Sequence, residues 1–326
     1  MTPINKIQLL LLSTLCLVAS LAHANNNITP INIAVLKFGT VNWTLETIKK
    51  NNLDKKNGFE LIVTPLASTQ ASRISLQANA SDIIVSDWTW VARQRGNSSN
   101  YLFAPYSSST GSIMVPESSP IRSINDLVGK RLGIAGGALD KSWLLLRAYG
   151  LTKGIDFNTS VEKVFGAPPL LNNILQQNEL EALINFWHYS ARLKAKGYRE
   201  IINTHQIIHQ LGIKQRVPIL GYVFRKNWAL NNTNAVNGLL TATRQAGELL
   251  CSSDSHWNAV IPLTRTNDPS TQQQLRESYC KGRVLTFTDQ DKKAIADIYA
   301  ILAKTGGTKL IGPVHQLDPD IFWDNN

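Results

Sequence analysis

The sequence has 326 residues, enough for two domains or one large α/β unit. Hydrophobic residues make up 43% and charged residues 17%, a core-forming balance that excludes a disordered chain. The formal charge is +10, but the basic residues are spread along the chain without a Lys/Arg block, which argues against a nucleic-acid partner.

Residues 1–24 read as a secretory signal. Lys6 supplies the positive start, Leu9 to Ala22 is an apolar stretch, and Ala22-His23-Ala24 is a small-residue cleavage site. An uncleaved anchor needs about 20 apolar residues, and this run ends sooner, before Asn25-Asn26-Asn27. Cys16 lacks the small residues that precede a lipoprotein cysteine. No later segment is apolar enough to span a bilayer, so the expectation is an exported, periplasmic protein cleaved after Ala24.

Ile31 to Leu36 is a short apolar run, read as a buried first strand. A helix is expected from Trp43 to Asn51, a strand from Phe59 to Val63, a helix from Ser68 to Ala78, and strands at Asp82–Val85 and Tyr101–Phe103. Strand alternating with helix is the signature of a parallel α/β sheet. The pattern then restarts. Strands are expected at Ser112–Val115, Arg131–Ala135, Val161–Phe165, Ala182–Asn185 and Arg199–Ile202. Between them lie helices at Leu139–Tyr149, Pro168–Gln177 and Trp187–Lys196. After Pro218 comes one more strand, Ile219–Phe224. Helices follow at Ala235–Leu250, Pro269–Tyr279 and Thr288–Ala303. The chain thus holds two α/β halves and a helical tail that returns to cover the first. Crossings between the halves fall near Tyr106–Gly111 and Val217–Tyr222.

Loss of Cys16 with the signal leaves Cys251 and Cys280. An even count in an oxidising compartment favours one disulfide, closing a loop of about 30 residues, over two separate thiols.

In open α/β sheets ligands sit beyond the strand ends, where helix N-termini point N–H groups into a crevice. Four junctions of this kind stand out, and each carries a Trp. They hold Thr40, Asn42 and Trp43; Asp87, Trp88 and Trp90; Gly137, Asp140, Lys141 and Trp143; and Asn185, Trp187 and His188. Tyr222 lies at the second crossing. One reading is an aromatic-walled cleft with polar groups orienting a small ligand. The other is that these Trp cover the core at the sheet edges. Asp87 and Asp140 either face a cationic ligand or cap their helices, and Asp140 also has Lys141 beside it. The Gly133-x-x-Gly136-Gly137 turn fits neither a P-loop nor a dinucleotide fingerprint. His205 and His209 have metal-chelating i,i+4 spacing only if they share a helix, and no carboxylate accompanies them, so no metal is expected. No Gly-x-Ser-x-Gly elbow is present.

Two segments carry a family resemblance. One is Asp82-Ile83-Ile84-Val85-Ser86-Asp87. The other runs from Ser119-Pro120-Ile121 through Asp126-Leu127-Val128-Gly129-Lys130 to Gly136-Gly137. Together they resemble the periplasmic solute-binding proteins of ABC importers, in the group handling sulfonates, taurine, nitrate and thiamine-pyrimidine precursors. The resemblance covers roughly residues 31 to 222. It implies an α/β, type II periplasmic binding fold, with two lobes, each built on a doubly wound sheet, joined by two hinge crossings. Lobe 1 would comprise residues 25–108 and 220–326, and lobe 2 residues 109–219. It implies a monomer that captures a small solute and delivers it to an inner-membrane permease, with no cofactor. Sulfonate and nitrate binders would show cations in the cleft, and among the junctions only Lys141 is basic. Trp beside a carboxylate suits a flat nitrogen-bearing solute, a zwitterion or a cation. A pyrimidine-synthesising enzyme shares the fold but uses a Cys-rich iron site and pyridoxal phosphate. No cysteine cluster is present, so enzyme activity is not expected. The alternative is an accessory protein on the same scaffold that binds a partner such as an exported dehydrogenase.

Overall fold

The computed structural model describes residues 28–324. The expected signal segment, residues 1–24, and its expected cleavage site lie outside them.

The first half alternates strand and helix: β1 (Thr29–Leu36), α1 (Val41–Lys50), β2 (Phe59–Leu66), α2 (Thr69–Gln77), β3 (Ile83–Asp87), α3 (Trp88–Gly96) and β4 (Tyr101–Ser107). The second half follows with β5 (Ser112–Val115), β6 (Arg131–Ala135), α4 (Lys141–Thr152), β7 (Glu162–Gly166), α5 (Pro168–Gln176), β8 (Ala182–Asn185), α6 (Trp187–Ala195), β9 (Arg199–Asn203) and α7 (Thr204–Gln210). The chain then returns with β10 (Leu220–Arg225) and closes with α8 (Thr233–Ser252), α9 (Asp254–Thr264), α10 (Pro269–Lys281) and α11 (Asp289–Gly306).

Two five-stranded sheets result, ordered β2-β1-β3-β10-β4 and β7-β6-β8-β5-β9. In the first, β1 pairs in parallel with β2 and β3, while β10 runs antiparallel between β3 and β4. In the second, β6 is parallel to β7 and β8, while β5 runs antiparallel to β8 and β9. Each sheet therefore carries one reversed strand, and that strand is supplied by a crossing. The chain passes from the first sheet to the second between Ser107 and Ser112, and back between Asn203 and Leu220. The apolar runs read as strands, Ile31–Val35 and Ile83–Ile84 among them, are buried in the sheet interior.

The helical tail does more than cover the first sheet. Leu275 and Tyr279 of α10 pack with Ala191 and Trp187 of α6, an element of the second half. On the other flank, α11 sets Ile295, Tyr299 and Leu302 into a core shared with Trp88 of α3 and Trp143–Leu146 of α4. A Cβ on Gly306 of α11 would come within 2.9 Å of Leu144 in α4. The tail thus clasps both halves, because its amphipathic helices find apolar faces on each. Cys251 and Cys280 are joined, with Cα atoms 5.7 Å apart, and the bond ties α8 to α10 beside the first of these contacts.

Candidate functional site

The two crossings, together with the strand ends of both sheets, enclose a cavity of about 360 Å³. Side chains on it from the first half include Thr40, Thr69, Arg73 and Asp87, and those from the second half include Asp140, Lys141, Phe186, Trp187 and His188. Tyr106, Ser109, Gly111 and Ile219 come from the crossings themselves. The N-terminal residues of α1, α2, α4 and α6 all border it. Each helix start brings unpaired N–H groups and about half a positive charge.

Asp87 ends β3 and caps α3: its carboxylate accepts the Trp90 N–H at 3.0 Å and the Thr89 hydroxyl. Two cations reach the same carboxylate. Arg73, from the second turn of α2, lies 3.4 Å away, and Lys141, the first residue of α4, lies 3.2 Å away. Burial alone would push this carboxyl up. Lys141, the Thr89 hydroxyl, Arg73 and the Trp90 N–H outweigh it and hold Asp87 at about 2. The Asp87–Lys141 pair joins the two halves across the cavity floor.

Asp140 caps α4 by accepting the Trp143 N–H at 3.1 Å, and burial pushes its carboxyl up. Gly136 and Gly137, at φ +84° and +85°, make the turn that delivers it. His188 is half-buried against Tyr189 and Trp187, and desolvation, with Arg192 nearby, lowers it to about 3, so its ring is neutral near neutral pH. Arg73 Nε, His188 Nδ1 and Ser109 Oγ are buried and have no hydrogen-bond partner. All three belong to residues on the cavity. Buried polar groups are rarely left unpaired, so the three mark unmet capacity at one place.

Of the fourteen residues named at the junctions and the second crossing, the cavity takes six: Thr40, Asp87, Asp140, Lys141, Trp187 and His188. The others turn away. Trp88 and Trp143 are 0% and 1% exposed in the core, and the Trp88 indole N–H donates to the Pro218 carbonyl at 3.0 Å. Trp43 packs edge-on against Trp257 and Trp187, with ring centroids 5.5 and 6.0 Å away. Tyr222 is fully buried, and its hydroxyl pairs with Thr243 at 3.0 Å. Asn185 is held by Pro168 and Asn172 behind the strand end. Asn42 closes its own turn onto the Leu36 and Gly39 carbonyls. Gly137 shapes the turn without reaching the cavity. The picture of several Trp stacked beside a free carboxylate is therefore corrected. Trp187 is the one Trp on the cavity, and Asp87 already holds two cations.

Arg73 was missed. The β2–α2 junction carries no Trp to mark it in the sequence, yet Ser68 caps α2 there and sets Arg73 one turn in. His205 and His209 do share a helix, α7. His205 Nε2 bonds to the Ser108 carbonyl of the first crossing at 2.5 Å, and no metal-holding cluster occurs among the described residues.

Two mixed sheets of matching strand order, joined by two crossings around a cavity, define the type II periplasmic binding fold. A family model described as NMT1/THI5 like matches residues 55–253, and the chain belongs to that family. No curated protein matches the chain in sequence. Among solved structures, the aliphatic sulphonate binding protein SsuA from Escherichia coli aligns with TM-score 0.71 at 15% identity, covering 88% of this chain and 94% of that one. The alkanesulfonate-binding protein SsuA from Xanthomonas axonopodis pv. citri, solved bound to MOPS, aligns with TM-score 0.67 at 15% identity, covering 90% and 98%. The desulfurization enzyme DSZB shares the fold at TM-score 0.59 and 14% identity, covering 88% and 94%. The described cysteines of the present chain are disulfide-bonded away from the cavity.

Proposed function

We propose that the chain is the solute-binding component of an ABC importer. In this reading the mature protein, residues 25–326, works in the periplasm as a monomer. Lobe 1 (residues 25–108 and 220–326) and lobe 2 (residues 109–219) close by hinge motion on a small organic solute with one acid group. The protein then delivers the solute to a membrane permease. The observation that carries the reading is the cavity at the crossings, walled by both halves, with Arg73 and Lys141 on its floor and four helix starts around it. Cations and N–H groups favour an acid group. Val41, Leu145, Trp187 and Ile219 favour an apolar body. Sulfonate-binding relatives on the same fold agree with such a solute. An amine on the solute would find Asp140.

The test is thermal unfolding of the mature chain against sulfonates, carboxylates, amino acids, pyrimidines and amines. A solute at 100 times its Kd adds about 2.7 kcal/mol of stability. The expected result is a shift with organic acids that is lost in Lys141→Met. A flat response across the panel would turn attention to a protein partner. That second reading has its own observation in Phe38 and Leu139, exposed at 62% and 39% on the strand-end loops of both halves.

A further inference from the structure

Arg73 and Lys141 look like a solute's anion clamp, but both are already engaged by Asp87. Asp87 cannot step aside. It is buried, it caps α3 through the Trp90 N–H, and it takes the Thr89 hydroxyl. A solute acid group must therefore share the two cations with a carboxylate that stays in place. We propose that Asp87 is the specificity-determining residue of the cleft: it is a built-in counter-anion that admits solutes with one negative charge and rejects those with two. This rests on the reading of the cavity as an organic-acid site.

The charge balance carries the argument. Arg73 and Lys141 bring two positive charges, and Asp87 removes one. Asp140, from α4, adds negative charge to the same floor, while the His188 ring from α6 is neutral. Arg93 sits near Arg73 but does not line the cavity. With Asp140 protonated one positive charge remains, which matches a sulfonate or a carboxylate; with Asp140 ionised none remains, which matches a zwitterion. A phosphate-type group in its doubly ionised form would place its second charge beside Asp87 with no cation left to meet it. A like charge at close range in a part-buried site typically costs one or more units of pK, about tenfold or more in binding.

The experiment uses two probes that differ in how they titrate. Ethanesulfonate is singly charged at pH 5 and at pH 8. Ethyl phosphate changes from one charge to two with a pKa of about 6. Affinity of the mature chain for each is measured by calorimetry at both pH values, in wild type, Asp87→Asn and Asp87→Ser. Both replacements can cap α3, so the fold is retained. The sulfonate reports any titration of Asp140 or His188, because its own charge is constant.

The expected result is that wild type loses about tenfold or more of its ethyl phosphate affinity between pH 5 and pH 8, relative to the sulfonate. Both variants abolish that loss and bind the doubly charged form at least as well as the singly charged one. Discrimination that persists in both variants overturns the role of Asp87 and leaves the organic-acid reading standing. If wild type binds neither probe at either pH, the organic-acid reading falls, and the assignment of Asp87 with it.

Discussion

Trp88 and Trp187 occupy the same kind of position, the first residue of a helix after a strand, and do different work. Trp88 is fully buried between α3 and α11, 6.3 Å from the Tyr299 ring, and is tied to the second crossing through Pro218. Trp187 borders the cavity. Trp88→Ala is expected to lower the unfolding free energy by about 3–5 kcal/mol in urea titrations, the usual loss for a large buried aromatic. Trp187→Ala should lower it by less and weaken solute binding more. The sequence marks both as junction residues and cannot say which face each takes. That depends on the strand beside the helix and on the tail helix lying over it. Asp87 was legible as a rim carboxylate, but its partners were not. Arg73 is 14 residues away in sequence, and Lys141 belongs to the other half. Acid titration should expose these groups. Asp87, held at about 2 in the folded chain against an ordinary value of 3.8, supplies stability that is full above about pH 4 and lost as pH falls toward 2, about 2 kcal/mol in all. His188, lowered from 6.5 to about 3 by burial, is neutral in the fold while the unfolded chain takes up a proton, so stability declines from about pH 6.5 downward. The raised Asp140 carboxyl works in the opposite direction. Unfolding free energy should therefore fall steadily between pH 7 and pH 4, and His188→Gln should reduce that slope, the remainder coming from His205, which burial lowers to about 4. An unchanged slope would mean that His188 is solvated in solution.

Elements were read well where a period and a stop signal coincide. β5, β6 and β8 match their expected bounds, because short apolar runs between turn residues have few other solutions. Expected and observed ends of the longer helices differ by a few residues at most, as fraying ends do. Several helices carry no such signal, α7, α9 and the six-residue Lys226–Asn231 among them. α7 has seven residues, too short to show a period, and its Asn203–Gln206 capping box is the one local sign of it. α9 carries Pro262 in its last turn and opens on a Ser-rich stretch that reads as a loop. The expected disulfide was legible from composition alone, whereas the site it braces was not. It fastens α8 to α10 next to the contact between α10 and α6. Replacing both Cys251 and Cys280 with Ala should lower stability by about 3 kcal/mol, since the bond closes a loop of roughly 30 residues. Solute affinity should fall as well, because α10 then holds α6 less firmly. Chemical unfolding and calorimetry of the double variant check the two effects separately.

At the scale of the molecule, the two halves are held together by more than the two crossings. One flank is the aromatic cluster in which Trp187 and Ala191 of α6 meet Trp43, Trp257 and Leu275. The other is the core in which α11 bridges α3 and α4. The Asp87–Lys141 pair lies between them on the cavity floor. Separating the halves breaks all three contacts, or leaves one intact as a pivot. The flanks differ in a way that decides which. On the α11 flank the bridging side chains, Ile295, Tyr299 and Leu302, are fully buried, so opening there would expose a continuous apolar core. On the α6 flank Trp187 is only partly buried and borders the cavity, so its contact can part at lower cost. The α11 side should then be the pivot and the α6 side the opening edge. Trp187 leaves or joins an aromatic cluster in that motion, and its fluorescence should report it. Adding a bound solute should shift the emission of wild type and leave that of Trp187→Phe nearly unchanged. Ala191→Glu, which sets a charge into the α6 edge, should favour the open form and raise the solute off-rate about tenfold with little change in on-rate, as interface substitutions usually do. Leu302→Ala on the pivot should instead lower stability by about 2–5 kcal/mol while leaving the off-rate within a few-fold of wild type. Stopped-flow fluorescence separates the two variants, and an off-rate that rises with Leu302→Ala but not with Ala191→Glu would exchange the pivot and the edge.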